Sequence, residues 1–143
     1  MVGVIVTGHG NFATGLLSSL KLIAGEQEHI VGVDFTADDS TETLEVKLKD
    51  AVDKLGEEII VLSDLAGGSP FKVSVVLSQQ LEGKKIKVVS GINLGMLLEV
   101  SLCRGSMSLD ELVGFSIDSG KDAIKSFEIR VEEEIETYEF DGI

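Results

Sequence analysis

Four short runs rich in valine and isoleucine recur along the chain, at residues 2–7, 30–35, 59–63 and 86–90. Each is largely apolar on consecutive rather than alternate positions, the pattern of a strand buried on both faces. Between these runs the period lengthens. Phe12, Leu16, Leu17, Leu20 and Ile23 repeat at intervals of three and four, which predicts a helix over 11–24 that Gly25 stops. Leu44, Leu48, Ala51, Val52 and Leu55 form a second stripe. Asp39 and Glu42 open it with the spacing of a capping box, and Gly56 ends it. Ser69 as N-cap and Pro70 at the first helical position predict a third helix, running to about Leu81. Shorter helical patterns follow at 94–103, 109–113 and 119–126.

Strands alternating with helices through tight connections imply right-handed βαβ units, and hence a doubly wound α/β domain around a parallel sheet. Near the end of the chain the pattern changes. Phe127, Ile129 and Val131 alternate with Glu128, Arg130 and Glu132, which suits a half-buried antiparallel edge strand. A strongly acidic tail occupies about 132–143. No repeat or linker interrupts the pattern, so residues 1–143 read as one domain.

Composition narrows the function. The 143 residues are of single-domain size, and 43% hydrophobic with 26% charged residues excludes a disordered chain. Twelve Lys and Arg against 25 Asp and Glu give a net charge of −13, which repels phosphate backbones and argues against nucleic-acid binding. One cysteine, Cys103, can form neither an internal disulfide nor a zinc knuckle, which fits a reducing cytoplasm. The opening MVGVIVTGHG reads as a core strand rather than a signal peptide. No apolar run approaches the roughly 18 residues of a membrane span, so direct membrane insertion is not expected.

In open parallel sheets ligands bind beyond the carboxyl ends of the strands, where strand order reverses. The first strand leads into Gly8-His9-Gly10-Asn11, the third into Asp64-Leu65-Ala66-Gly67-Gly68-Ser69-Pro70, and the fourth into Gly91-Ile92-Asn93-Leu94-Gly95. The second leads only into what reads as an ordinary capped loop. If the strand order is 2-1-3-4, strands one and three are neighbours at the switch point, and His9 and Asp64 would face each other across one inter-strand spacing. A carboxylate that accepts from one imidazole nitrogen fixes the tautomer and frees the other nitrogen as a nucleophile. Glycines on both sides of His9 would let a bulky partner group approach. The N–H groups of the Gly67-Gly68-Ser69 turn and the Ser69 hydroxyl make an anion cradle at a helix N-terminus. Together these residues point to phosphoryl transfer through a phosphohistidine. Walker-A spacing, G-x-G-x-x-G and an acid cluster for Mg²⁺ are all absent from the sequence, so no nucleotide, metal or cofactor is expected. Taken singly, His9 could be a satisfied loop histidine, Asp64 a turn cap and Asn93 a turn residue. His29 reads as a surface residue, Cys103 as core packing and Lys72 as a solvated helix residue.

Gly-His-Gly after the N-terminal strand, Ser-Asp-Leu-Ala-Gly-Gly-Ser-Pro-Phe at 63–71 and Gly-Ile-Asn-Leu-Gly-Met-Leu-Leu-Glu at 91–99 resemble one known family. It is the mannose-family enzyme IIA (EIIA) component of the bacterial phosphoenolpyruvate-dependent sugar phosphotransferase system (PTS). The likeness runs from about residue 1 to 127. It implies a four-stranded parallel sheet of order 2-1-3-4 in a homodimer that exchanges a C-terminal antiparallel strand. It implies that His9 takes a phosphoryl group from the phosphocarrier HPr and passes it to a cognate EIIB, which serves the membrane components EIIC and EIID. Asp64 then orients His9, and Gly67, Gly68 and Ser69 cradle the phosphoryl oxygens. Gly10, Phe12, Phe71, Asn93 and Met96 are expected on the partner-facing rim. Gly95 stands where the family usually has proline and Lys72 where it usually has asparagine, which bears on partner choice rather than on the His9–Asp64 pair.

Two other readings make different demands on the chain. A phosphotransferase subunit of a dihydroxyacetone kinase would carry serine where Gly10 stands. A receiver-like or flavodoxin-like binding module would need another acid cluster after the first strand or aromatic residues to stack a flavin, and this chain has no Trp and one Tyr, Tyr138.

Overall fold

The computed structural model describes residues 1–129. Four parallel strands, β1 (Gly3–His9), β2 (Ile30–Phe35), β3 (Glu58–Ser63) and β4 (Lys85–Ser90), form a sheet of order 2-1-3-4. The first three strands are each followed by a helix that leads to the next strand: α1 (Phe12–Ala24), α2 (Thr41–Asp53) and α3 (Ser69–Gln80). Beyond β4 come α4 (Leu94–Cys103), a 3₁₀ turn at Arg104–Ser106 and α5 (Leu109–Asp122).

Side chains alternate across the sheet and so divide into two cores. Val4, Val6, Ile60 and Leu62 pack with Ala13, Leu20, Leu97, Val100 and Leu112 under α1, α4 and α5. Ile5, Ile59 and Val61 pack with Leu44, Leu48, Val52 and Leu77 under α2 and α3. Both central strands are therefore buried on two faces, as their apolar runs predict. The edge strands are not. In β4 the exposed Lys85 and Lys87 flank the buried Ile86, because a strand with a neighbour on one side only is incompletely covered, and lysines there discourage further pairing.

Several helix boundaries differ from those the sequence predicts. The capping box of α2 is formed by Ser40 and Thr43: the Ser40 hydroxyl accepts from the Thr43 N–H at 3.2 Å, and the Thr43 hydroxyl accepts from the Ser40 N–H at 2.9 Å. Asp39 is taken up elsewhere. Its carboxylate accepts from Lys47 at 2.7 Å and from the Thr36 N–H at 2.8 Å. The ammonium, followed by that N–H, holds this carboxyl far below the usual aspartate range. Helix α2 closes at Asp53 rather than Gly56, and Lys84 spans its open end by donating to the carbonyls of Val52, Leu55 and Gly56. In α3 the N-cap is Gly68, so Ser69 is the first helical residue and its side chain makes no cap bond. The two short patterns predicted at 109–113 and 119–126 are one continuous helix, α5, opened by a Ser108–Glu111 capping box. Its internal Gly120 is a packing device rather than a break, since a Cβ there would lie 2.7 Å from the Met96 methyl.

Of the expected edge strand at 127–131, Phe127, Glu128 and Ile129 are not in a strand, and 130–131 lie outside the described residues, as does the acidic tail. Cys103 is half-buried at the end of α4 rather than in the core. His29 is exposed, as expected, with a left-handed φ of 59°.

Arg104, buried to 3% exposure, ties the start of the sheet together. Its guanidinium donates to the carbonyls of Val2 and His29, each at 3.1 Å, and to that of Glu28. Arg104→Met keeps the stem but orphans these acceptors. It is expected to cost about 3 kcal/mol of stability, read as a lowered urea midpoint at unchanged slope.

Candidate functional site

The reversal of strand order puts the carboxyl ends of β1 and β3 side by side, and the β1–β3 contact continues past the last ladder pair through the Asp64 N–H to the Thr7 carbonyl at 3.1 Å. Strand β1 runs on to His9, two residues further than its apolar run, so the imidazole is carried on a strand end rather than a loop. His9 meets Asp64 twice. Its backbone N–H donates to Asp64 Oδ2 at 2.9 Å, and its ring Nδ1 lies 2.6 Å from the same oxygen. The other oxygen, Oδ1, accepts from the Leu65 N–H at 2.9 Å.

Burial of the Asp64 side chain, 8% exposed, works against its charge. The His9 and Leu65 donors outweigh that cost and hold the carboxyl below the usual aspartate range. A carboxylate can only accept, so Nδ1 carries the proton of this contact, and in the neutral imidazole Nε2 then keeps its lone pair. The His9 side chain is 47% exposed, so its outer face is open to a partner.

That ring lies over the glycine turn. A Cβ built on Gly68 would fall 2.6 Å from His9 Cε1 and 3.3 Å from Nε2, so glycine is required there for contact rather than for backbone conformation. Gly67 supplies the conformation, with φ +85°. The first bond of α3 runs from the Lys72 N–H to the Gly68 carbonyl, and Pro70 has no N–H. The N–H groups of Ser69 and Phe71 thus precede the intrahelical ladder beside His9, at the positive end of the helix dipole.

The two glycines flanking His9 do different work from each other. The space a Gly8 side chain would fill is taken by the Phe12 ring, 2.6 Å from the built Cβ. Gly10 is exposed, adopts φ 61° and donates its N–H to the Phe35 carbonyl at 2.7 Å.

Among the rim candidates, Phe12 and Phe71 are half-buried near the site. Met96 is not on the rim: it is 3% exposed, in the core beneath α5. Asn93 is spent on the fold. Its Oδ1 caps α4 by accepting from the Met96 N–H, and its Nδ2 donates to the Gly120 carbonyl, each at 2.9 Å. Gly95 belongs to the same packing, since a Cβ there would lie 2.5 Å from that of Ala123.

Sequence reasoning passed over the end of β2. Phe35 stacks edge-to-face on His9, with ring centroids 5.8 Å apart at 72°. Asp34 does the capping that Asn11 does not, accepting from the Thr14 N–H at 3.1 Å and the Thr14 hydroxyl at 2.7 Å. The available signal was position alone: in parallel pairing with β1, Phe35 stands opposite His9.

The sequence profile of the EIIA-man family, described as PTS system fructose IIA component, matches residues 3–116. The chain belongs to the EIIA-man family. This EIIA-man chain is 32% identical over 115 residues to the PTS system fructose-specific EIIA component of Bacillus subtilis (strain 168), covering 79% of this chain and 77% of that one. It is 29% identical over 132 residues to the PTS system mannose-specific EIIAB component of Escherichia coli (strain K12). That match takes in 90% of this chain but spans only 40% of the relative's length. A crystal structure of phosphotransferase system component EIIA from Streptococcus agalactiae superposes with a TM-score of 0.84 at 46% identity, covering 88% of this chain and 97% of that one. Membership in this family lends no support to the dihydroxyacetone-kinase or receiver and flavodoxin readings. Among the described residues no helix is long and apolar enough to cross a membrane, and no group of His, Cys, Asp and Glu could hold a metal ion.

Proposed function

We propose that His9 Nε2 accepts a phosphoryl group from phospho-HPr and hands it to a cognate EIIB component, which serves a membrane EIIC/EIID sugar transporter. The observation that carries this reading is the short Nδ1–Asp64 contact, which leaves Nε2 as the nucleophile. In the first transfer the Nε2 lone pair attacks phosphorus as the bond from phosphorus to HPr breaks, and that bonding pair returns to the departing HPr side chain. His9 gains positive charge, which the Asp64 carboxylate offsets while Nδ1 keeps its proton. Gly67, Gly68 and Ser69 face the incoming oxygens with N–H groups and a hydroxyl at a helix N-terminus, a setting suited to an anion. Transfer to EIIB reverses the same motions: the P–Nε2 bond breaks as the EIIB acceptor attacks phosphorus, and the bonding pair returns to the His9 imidazole.

Gly10, Phe12 and Phe71 are the residues we assign to the partner rim. Phe12 and Phe71 keep water away from the transferring group when a partner closes over them. The −13 charge favours encounter with a basic carrier face in the cytoplasm. The exchanged C-terminal strand, and with it the homodimer, belongs to the same proposal. Ile124 and Ile129, 77% and 76% exposed, supply apolar surface for such a contact. Sedimentation at micromolar concentration would reveal the dimer.

The test of the carrier role is incubation with phosphoenolpyruvate, enzyme I and HPr, followed by mass mapping and NMR of the product. The expected product is one acid-labile phosphate on His9, attached at Nε2. A phosphate on Nδ1, or none while HPr itself is phosphorylated, overturns the proposal.

A further inference from the structure

We propose that Phe35 is a positioning residue for His9, so that the end of β2 aims the nucleophile and is not merely a loop anchor. Three observations on separate atoms converge. The Phe35 ring lies edge-to-face against the imidazole, centroids 5.8 Å apart. The Phe35 carbonyl accepts from the Gly10 N–H at 2.7 Å, which fixes the backbone immediately after His9. Finally, the Asp34 carboxylate holds the start of α1 at Thr14, so the segment from His9 to Thr14 is moored to the end of β2 at both ends.

The geometry explains why such a contact is needed. Asp64 grips His9 through the backbone N–H and Nδ1, which fixes one edge of the ring. A single hydrogen bond to one ring nitrogen still lets the ring swing, and a wide swing breaks that bond and releases the tautomer it fixes. Gly68 has no side chain to stop such a swing, and the imidazole is close to half exposed. A flat apolar ring set at 72° blocks that rotation without offering a polar atom to compete for Nε2. Strand β2 is in turn steadied from α2, where Lys47 donates to the Asp34 carbonyl at 3.1 Å and to Asp39.

The test compares Phe35→Leu and Phe35→Tyr with wild type. Leucine keeps apolar volume and so keeps the fold, but it removes the ring face. Tyrosine keeps the ring and is the rescue. The first readout is the ¹⁵N spectrum of the His9 ring in the unphosphorylated protein. Wild type and Phe35→Tyr are expected to show one Nδ1–H tautomer, and Phe35→Leu a mixture. The second is the rate of phosphate acceptance from phospho-HPr. Losing an aromatic pair shifts the aligned population by about 3- to 10-fold, and the rate for Phe35→Leu should fall by the same factor. A Phe35→Leu protein with wild-type tautomer and rate overturns the inference, as does a Phe35→Tyr protein that behaves like leucine. The inference rests on the carrier reading only for its rate. A wild type that takes no phosphate, yet shows the tautomer change in Phe35→Leu, removes the carrier reading and leaves the positioning role standing.

Discussion

Asp64→Asn is expected to accept phosphate from HPr about 10²- to 10⁴-fold more slowly than wild type while keeping the fold. The size of the loss follows from how the oxygens are used. Asp64 Oδ2 accepts from both the backbone N–H and the Nδ1 of His9, and Oδ1 from Leu65. An asparagine has one oxygen and one NH₂, so one of these acceptor positions must become a donor. If the NH₂ faces His9, it opposes the Nδ1–H tautomer and favours the form in which Nε2 carries the proton and has no lone pair to attack with. If the oxygen faces His9, the NH₂ confronts the Leu65 N–H instead. Either way the negative charge that offsets the imidazolium formed during transfer is gone. Rapid-quench kinetics with labelled phospho-HPr would measure the rate, with circular dichroism to confirm folding. A rate within about threefold of wild type would sink the assigned role.

The depressed carboxyl of Asp64 adds a pH signature. A group whose pKa is lower folded than unfolded contributes stability that is complete above the unfolded value and disappears as pH falls through the folded one. Wild type should therefore lose stability on acidification below the ordinary aspartate range, and Asp64→Asn should lose less over the same interval.

Gly68→Ala is the second large effect, and its cause is purely steric. At φ −78° and ψ 164° the Gly68 backbone is one any residue adopts, so alanine brings no backbone strain. Its methyl would lie 2.6 Å from His9 Cε1, inside any allowed contact. The ring can escape only by turning away from the α3 N-terminus, which loosens the 2.6 Å contact with Asp64. A displacement of about 1 Å at a reacting atom costs on the order of 10²-fold in rate, and that is the expected loss for acceptance from HPr. Stability should change by less than about 1 kcal/mol, because the clash falls on a half-exposed side chain rather than on the core. Gly67→Ala separates the two glycines: at φ +85°, with open space around it, alanine there should cost about 1 kcal/mol of stability through strain alone. Normal transfer by Gly68→Ala would mean that the ring does not rest where the structure places it.

Much of this architecture is written in short-range pattern. The four strands lie within two residues of the apolar runs that predict them, and the two central ones are the clearest because a strand buried on both faces must be apolar at consecutive positions whatever its neighbours. Helix α4 falls at 94–103 as expected, and Asn11 and Gly25 bracket α1. The pairing of His9 with Asp64 was also legible. Both sit at strand ends, and a 2-1-3-4 order makes those ends adjacent. The capping of α2 was harder to read. Asp39, Ser40, Glu42 and Thr43 offer overlapping capping spacings: Ser40 and Thr43 form the box, while Asp39 accepts from Lys47 and from the Thr43 hydroxyl. Helix α5 misled for a related reason. The first predicted pattern stops at Gly114, whereas the helix runs through it to Asp122, with Gly120 small because Met96 occupies its space.

The sequence by itself therefore determined the order of elements, the class of fold and the adjacency of His9 and Asp64, since each depends on periodicity or on residues at strand ends. Only the tertiary structure decided which neighbours share the site. Phe35 joins His9 through parallel register across 26 positions of chain, and Asn93 and Met96 leave it because α5 folds back over α4 and claims their side chains. Local sequence sets which face of an element is apolar, but not which distant side chain will meet it. That meeting is settled by register and packing, where every buried polar atom must find a partner and every volume can be filled only once.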